Sequence, residues 1–386
     1  MLHHLINFRN KKFRSILLQA AVFLAVFFTF FFLYQNLQGN LIKKNIATGF
    51  SFLEREAGFE ISESLLSYNS SNHYGRALWV GLLNTLKVSL LGNLLAAILG
   101  TFIGIFALAK NKMLKGMAKS YIEILRNIPL ILQLFFWYAL FTEIFPGVRQ
   151  SLNPIQGVFL SNRGLFFPSL EFDGSIIYII ISFLICIPLF FLLRSHSRKI
   201  KDETGEQFPY LKITLGLFVI LPTIVFFLTG IKFKFHLPVL TGFNFEGGSS
   251  LSPEFCSLLL GISIYTSAFM AEIVRSGILS VSRGQEEAAL SLGLSKFQAM
   301  VMVTLPQAMR TIIPPLTNQF LNLTKNSSLA VAIAYPDFVS IANTTMNQTG
   351  QAVELIILII AVYLSFSLIT SVFMNWFNKK MALVER

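Results

Sequence analysis

Three groups of residues in this chain have types and spacing suited to docking or to handling a charged ligand. The first is Gly284, Gln285, Glu286, Glu287, Ala288 and Ala289, followed by Gly293, Val303, Leu305 and Pro306. Ser282 suits an N-cap, Glu286 to Leu290 are good helix formers, and Gly293 suits a left-handed stop. Residues 294–305 then restart a helix, and Pro306 begins the next segment. Small alanines allow close approach and the acids offer charge pairing, so this helix–turn–helix reads as a docking device. The second group is Asn318, Asn322 and Lys325, whose spacing of four and three puts them on one helical face. A charge in an apolar run is costly and faces an interior or a water-filled path. Lys325 therefore either receives a bound carboxylate or pairs with one from its own chain. The third group is two i,i+3 pairs, Glu123 with Arg126 and Glu272 with Arg275, which are either local salt bridges or a charged gate.

Several chemistries have no basis here. No G-x4-G-K-[ST] phosphate loop is present, and the stretch 293–296 has the wrong spacing for one. No nucleophile stands beside a base, so catalysis is not expected. His3, His4, His73, His196 and His236 are scattered and lack metal-ligand spacing. Cys186 and Cys256 both sit in apolar runs and read as buried thiols.

The elements that must carry these groups are membrane spans. The 386 residues are 54% hydrophobic and 13% charged, with 40 Phe, and the mean hydropathy is +0.64. Soluble domains carry about 25% charged residues. Runs long enough to cross a bilayer fall at roughly 16–34, 84–108, 128–145, 175–193, 211–230, 254–275, 311–335 and 353–376. The fold expected is all-α and integral to the membrane, with about eight helices. The first run has a basic flank (Arg9, Lys11, Lys12, Arg14) but is too long for a signal peptide and lacks a cleavage site, so it reads as an uncleaved span.

With both termini inside, 21 of the 31 Lys and Arg fall in inside segments and eight outside, with Lys87 and Lys325 in spans. This follows the positive-inside rule, and the net charge of +12 then needs no nucleic-acid partner. Lys87, near the outer interface, is expected to snorkel. Outside, 35–78 suggests a short helical or interfacial segment, while 146–174 and 231–252 suggest loops or small caps. Pro314 and Pro315 either break the seventh run or start its helix. Glu272, Glu354 and Asp337 are the few acids placed to meet an ammonium group.

The stretch from Glu287 to Pro306 resembles the coupling loop of ABC importer permeases, EAA-x3-G-x9-I-x-LP, with Val303 in place of Ile as its one departure. Further segments resemble the polar amino acid branch (histidine/glutamine permease-like): 81–86, 121–130 with Gln133, 265–272 with Arg275, Gly284-Gln285, and 325–329. In that branch Asp-Thr is frequent where this chain has Asn326-Ser327. Length and insert look most like general L-amino acid transport permeases.

The resemblance covers about 79–145 and 254–376. It implies a five-helix type I importer core, with an added N-terminal span and outer segment (1–78) and an inserted pair of spans within 146–253. It implies a bacterial inner-membrane subunit that is not itself an enzyme and binds no cofactor. ATP and Mg would bind a separate cytoplasmic ATPase dimer docked on residues 276–310. A second, related permease and a periplasmic amino-acid-binding protein would complete the system. An ion-coupled secondary transporter or a channel is the competing class, and it leaves the Glu-Ala-Ala spacing unexplained.

Overall fold

The computed structural model describes residues 11–43, 48–172, 176–205, 208–230 and 233–381. Arg9, Lys44, Lys232 and Arg386 of the charge count lie outside the described residues.

Among the described residues, six helices are long and apolar enough to cross a membrane. They are α1 (Lys11–Lys43), α2 (Tyr74–Phe106), α5 (Ile176–Thr204), α6 (Tyr210–Thr229), α7 (Pro253–Leu279) and α12 (Ala352–Met381). Between α2 and α5, α3 (Lys112–Asn127) meets α4 (Leu130–Ala139), extended by a wide turn at Leu140–Ile144, at a bend of 104°; counted as one span, this pair makes seven. The bend has a local cause. Pro129 disfavours helical backbone at Ile128, and the buried Gln133 amide donates to Leu125 O at 2.9 Å and Ile128 O at 3.0 Å. The remaining expected span, 311–335, falls on α10 (Leu305–Asn326) and the 3-10 turn Ser327–Ile333, and its polar residues set it apart from the six apolar helices. Eight is therefore an approximate count.

The chain forms two compact units, 1–135 with 258–386, and 136–257. In the first, small residues let the helices approach closely. A Cβ on Gly100 of α2 would lie 2.6 Å from Met270 Cβ of α7 and 2.9 Å from Ser267 O, and one on Gly104 would lie 2.6 Å from Ala271 O. Around the N-terminal end of α2, Phe52, Ala57, Tyr74, Ala77 and Leu78 pack with Phe338, Ile341 and Ala342 of α11 (Phe338–Thr349) and with Leu355. Fully buried Asn84 donates to Glu63 O at 2.8 Å and Pro336 O at 2.9 Å. Asn84→Ala removes both bonds and leaves buried carbonyls unpaired, so about 1–3 kcal/mol of stability is lost. Thermal unfolding in detergent checks this. Lys87 does not snorkel but pairs with Glu63, Nζ to Oε1 at 2.5 Å.

In the second unit, α5 and α6 form a hairpin, and residues around them form short strands where the sequence suggests only loops or caps. β1 (Leu152–Ile155), β2 (Val158–Ser161), β3 (Gly164–Phe167) and β8 (Ser249–Leu251) make an antiparallel sheet in that order. β4 (Ser169–Phe172) pairs with β5 (Phe233–His236), and β6 (Val239–Thr241) pairs with β7 (Asn244–Glu246). Phe159 and Phe166 close on Phe245, with centroids 4.6 and 4.8 Å away. Strands of three or four residues are too short to show a period of two in the sequence.

Candidate functional site: an exposed helical hairpin and a polar helix face

The Glu-Ala-Ala segment forms α8 (Arg283–Ser291). Ser282 occupies its N-cap position without a side-chain hydrogen bond, so the expected cap is positional only. Gly293 has φ +84°. Leu294 N donates to Ala289 O and Gly293 N to Leu290 O, the bond pair of a Schellman stop. Ser295, two residues on, opens α9 (Lys296–Ala299) with a capping box: Gln298 N donates to Ser295 Oγ, and Ser295 N to Gln298 Oε1. Thus two back-to-back caps turn the chain sharply between Ser291 and Lys296.

Pro306 stands in the first turn of α10, as a proline that begins a segment would, but no break in the helix precedes it. α9 runs through the wide turn Met300–Thr304 directly into α10, and Leu305 N bonds to Met300 O. Pro306 has no N–H for the carbonyl four residues back, and a widened turn just before it accommodates the lost bond. Gln307 Nε2 donates to Gln285 Oε1 at 3.1 Å and ties α8 to α10.

Ala289 is buried, whereas Gly284, Gln285, Glu286, Glu287 and Ala288 are exposed. Around them stand three apolar side chains with little cover from their own chain: Leu292 (84% exposed), Phe297 (76%) and Met302 (65%). Leu305 is also exposed. Leu292, Phe297 and Met302 lie in the same loop as the alanines and acids, and Phe297 stands between the polar residues Lys296 and Gln298. An apolar patch with a polar surround marks a protein–protein contact.

On α10, Asn318, Asn322 and Lys325 are all exposed and share one face, as their spacing predicts. Among the described residues Lys325 forms no ion pair; it lines a cavity of about 630 Å³ with Ser328, Val339, Ile359, Ile360, Tyr363, Leu364 and Ser367. Pro314 and Pro315 neither start nor break α10, which is continuous from Leu305 to Asn326 with both prolines inside it. Both are exposed, so the ring crowding and the two lost bonds fall on the open face. The acids placed to meet an ammonium are taken internally. Asp337 caps α11 through Ser340 N at 2.8 Å and accepts from Tyr363 Oη at 3.2 Å. Glu354 accepts from Gly49 N at 2.7 Å.

The two i,i+3 pairs come together. Tyr121 Oη sits 2.7 Å from Ser267 Oγ and pins α3 to α7. Lys119, Glu123, Arg126, Glu272 and Arg275 then line a pocket of about 210 Å³. Arg275 grips Glu272 with two bonds, Nε to Oε2 at 2.8 Å and Nη2 to Oε1 at 2.5 Å. Glu123 and Arg126 form no ion pair among the described residues; Arg126 instead lies 5.2 Å over the Phe269 ring. Glu272→Gln removes a part-exposed pair worth about 1 kcal/mol or less. Thermal midpoints are expected to differ little, so a large loss of uptake in this variant measures a role in transport rather than in folding.

Long apolar helices together with a polar helix face and an exposed, tightly capped hairpin define a multi-pass membrane chain. The sequence profile of binding-protein-dependent transport system inner membrane components matches residues 174–383. The general L-amino acid transport system permease protein AapQ of Rhizobium johnstonii is 44% identical over 377 residues, 98% of this chain and 94% of that protein. The putative amino-acid ABC transporter permease protein YhdX of Escherichia coli is 44% identical over 382 residues, 99% and 97% of the two chains. The glutamate/glutamine/aspartate/asparagine transport system permease protein BztB of Rhodobacter capsulatus is 36% identical over 413 aligned positions, 98% and 96%. The chain belongs to the binding-protein-dependent transport system inner membrane component family, and is a multi-pass membrane permease of the type I ABC fold.

Proposed function

We propose that this chain is one permease subunit of an ATP-driven importer of polar or general L-amino acids in the bacterial inner membrane. The observation that carries the reading is the exposed hairpin 283–304 with its apolar rim, in a chain nearly collinear with amino acid permeases. A cytoplasmic ATPase dimer covers Leu292, Phe297 and Met302 and pairs with Glu286 and Glu287. ATP and Mg bind that dimer, and this chain binds no cofactor of its own. Closure of the ATPases pushes the hairpin, and α9 transmits the push into α10 because the two are one continuous helix. A second, related permease subunit faces the Asn318–Asn322–Lys325 side of α10, so that the solute moves between the two. A periplasmic binding protein delivers the amino acid from outside. Both termini lie in the cytoplasm, in keeping with the excess of Lys and Arg on that side.

Affinity purification of the chain from its native membrane in mild detergent, with subunits identified by mass, tests the assembly. Recovery of an ATP-binding subunit and a related permease is the expected result. Recovery of this chain alone overturns it in favour of an ion-coupled secondary transporter.

A further inference from the structure

The inserted hairpin α5–α6 carries a cationic pocket that the transport reading does not use. Arg194, Arg198 and Lys201 stand at i, i+4 and i+7, one face of α5. Together with Ser197, Phe208 and Tyr210 they line a pocket of about 280 Å³. The buried Ser197 hydroxyl donates to Phe208 O at 3.1 Å and ties Phe208 back against α5. Among the described residues none of the three cations forms an ion pair, although Asp202 and Glu203 follow directly.

The depth of the pocket specifies its ligand. The apolar stretch of α5, residues 176–193, rises about 27 Å at 1.5 Å per residue. That matches the roughly 30 Å hydrocarbon core. Arg194 is the first residue past it, and Lys201 lies about 10 Å further along the helix, within the headgroup layer and its water. Just inside this level, Leu192 and Leu215 present apolar side chains outward, where acyl chains would lie. A solvated basic face needs neither Phe208 and Tyr210 beside the cations nor the Ser197 bond that holds Phe208 there.

We propose that this pocket binds the phosphate of an anionic phospholipid of the cytoplasmic leaflet, anchoring the inserted hairpin to the lipid. Guanidinium groups pair with phosphate oxygens in a fork geometry, and basic pockets between spans on the cytoplasmic side recognise such headgroups.

Native mass spectrometry of the full chain in detergent, titrated with phosphatidylglycerol, phosphatidylethanolamine or inorganic phosphate, tests this. Wild-type protein is expected to retain phosphatidylglycerol over phosphatidylethanolamine. The triple variant Arg194→Gln, Arg198→Gln, Lys201→Gln is expected to lose about a hundredfold in that retention. The milder pair Arg198→Gln, Lys201→Gln loses an intermediate amount and serves if the triple variant does not fold. A triple variant of equal charge elsewhere, Lys110→Gln, Lys112→Gln, Lys115→Gln, retains the lipid. Equal retention by wild type and the Arg194 triple variant overturns the proposal. So does an equal loss in the Lys110 triple variant, which would mean general charge attraction. Displacement of the lipid by inorganic phosphate at equal concentration overturns it in favour of a soluble-anion site.

Discussion

Replacing Phe297 with Asp is expected to abolish uptake while the chain stays folded in the membrane. Phe297 is 76% exposed on its own chain, so the substitution removes little internal packing. Under the proposed function the ring is buried against the ATPase. Full burial of a Phe stabilises a contact by roughly 1.5–3 kcal/mol, one to two powers of ten in affinity. Burying an unpaired carboxylate in its place costs more still. The same reasoning applies to Leu292→Asp. Gly293→Trp is expected to uncouple uptake by another route. At φ +84° a side chain costs about 1–2 kcal/mol in backbone strain, and relief of that strain re-aims the Glu287–Ala288 surface. A bulky residue at exposed Ala288 blocks the approach directly. The measurement pairs amino acid uptake by cells with co-purification of the ATPase on the tagged permease. Normal uptake together with normal ATPase recovery in Phe297→Asp would remove this hairpin from the docking surface.

Gly100→Leu carries the second large effect, and it acts on folding rather than docking. The new Cβ alone meets Met270 Cβ at 2.6 Å and the Ser267 carbonyl at 2.9 Å. Backbone cannot yield as a flexible side-chain tip does, so α2 and α7 must separate. Overpacking of this kind costs typically 1–3 kcal/mol, and here the added branches of Leu push in the same direction. Separation also disturbs the register that sets Tyr121 against Ser267 and holds the Glu272–Arg275 pocket. We expect most of the extracted protein to run as aggregate on size exclusion. Gly216→Leu on α6 is the control, since nothing lies within 4 Å of a Cβ there; that variant should extract as wild type. Equal behaviour of the two would mean that the α2–α7 contact is looser than a 2.6 Å approach to Met270 Cβ implies.

The class of protein was legible before any coordinates. Membrane spans are long apolar runs, which are a one-dimensional signal. The hairpin was legible for a related reason: caps are local, and Ser282, Gly293 and the Ser295–Gln298 spacing each act within a few residues. The Ser295 cap is a full capping box, whereas Ser282 holds its N-cap position without a side-chain bond. The exposed face of Asn318, Asn322 and Lys325 needed only the helical period.

What the tertiary structure decided was everything that depends on a distant partner. By their covalent chemistry Pro306 reads as the start of a segment, and Pro314 and Pro315 as either a break or a helix start, yet helix is continuous across all three, because a wide turn and an exposed face absorb the missing bonds. The bend at Pro129 is held by Gln133, whose bonds reach back past the proline. Lys87 found Glu63, Asp337 and Glu354 were claimed by backbone amides, and Lys325 was left without an ion pair among the described residues. No spacing rule reports those outcomes, since each is set by which buried group lies within hydrogen-bond reach once the helices have packed.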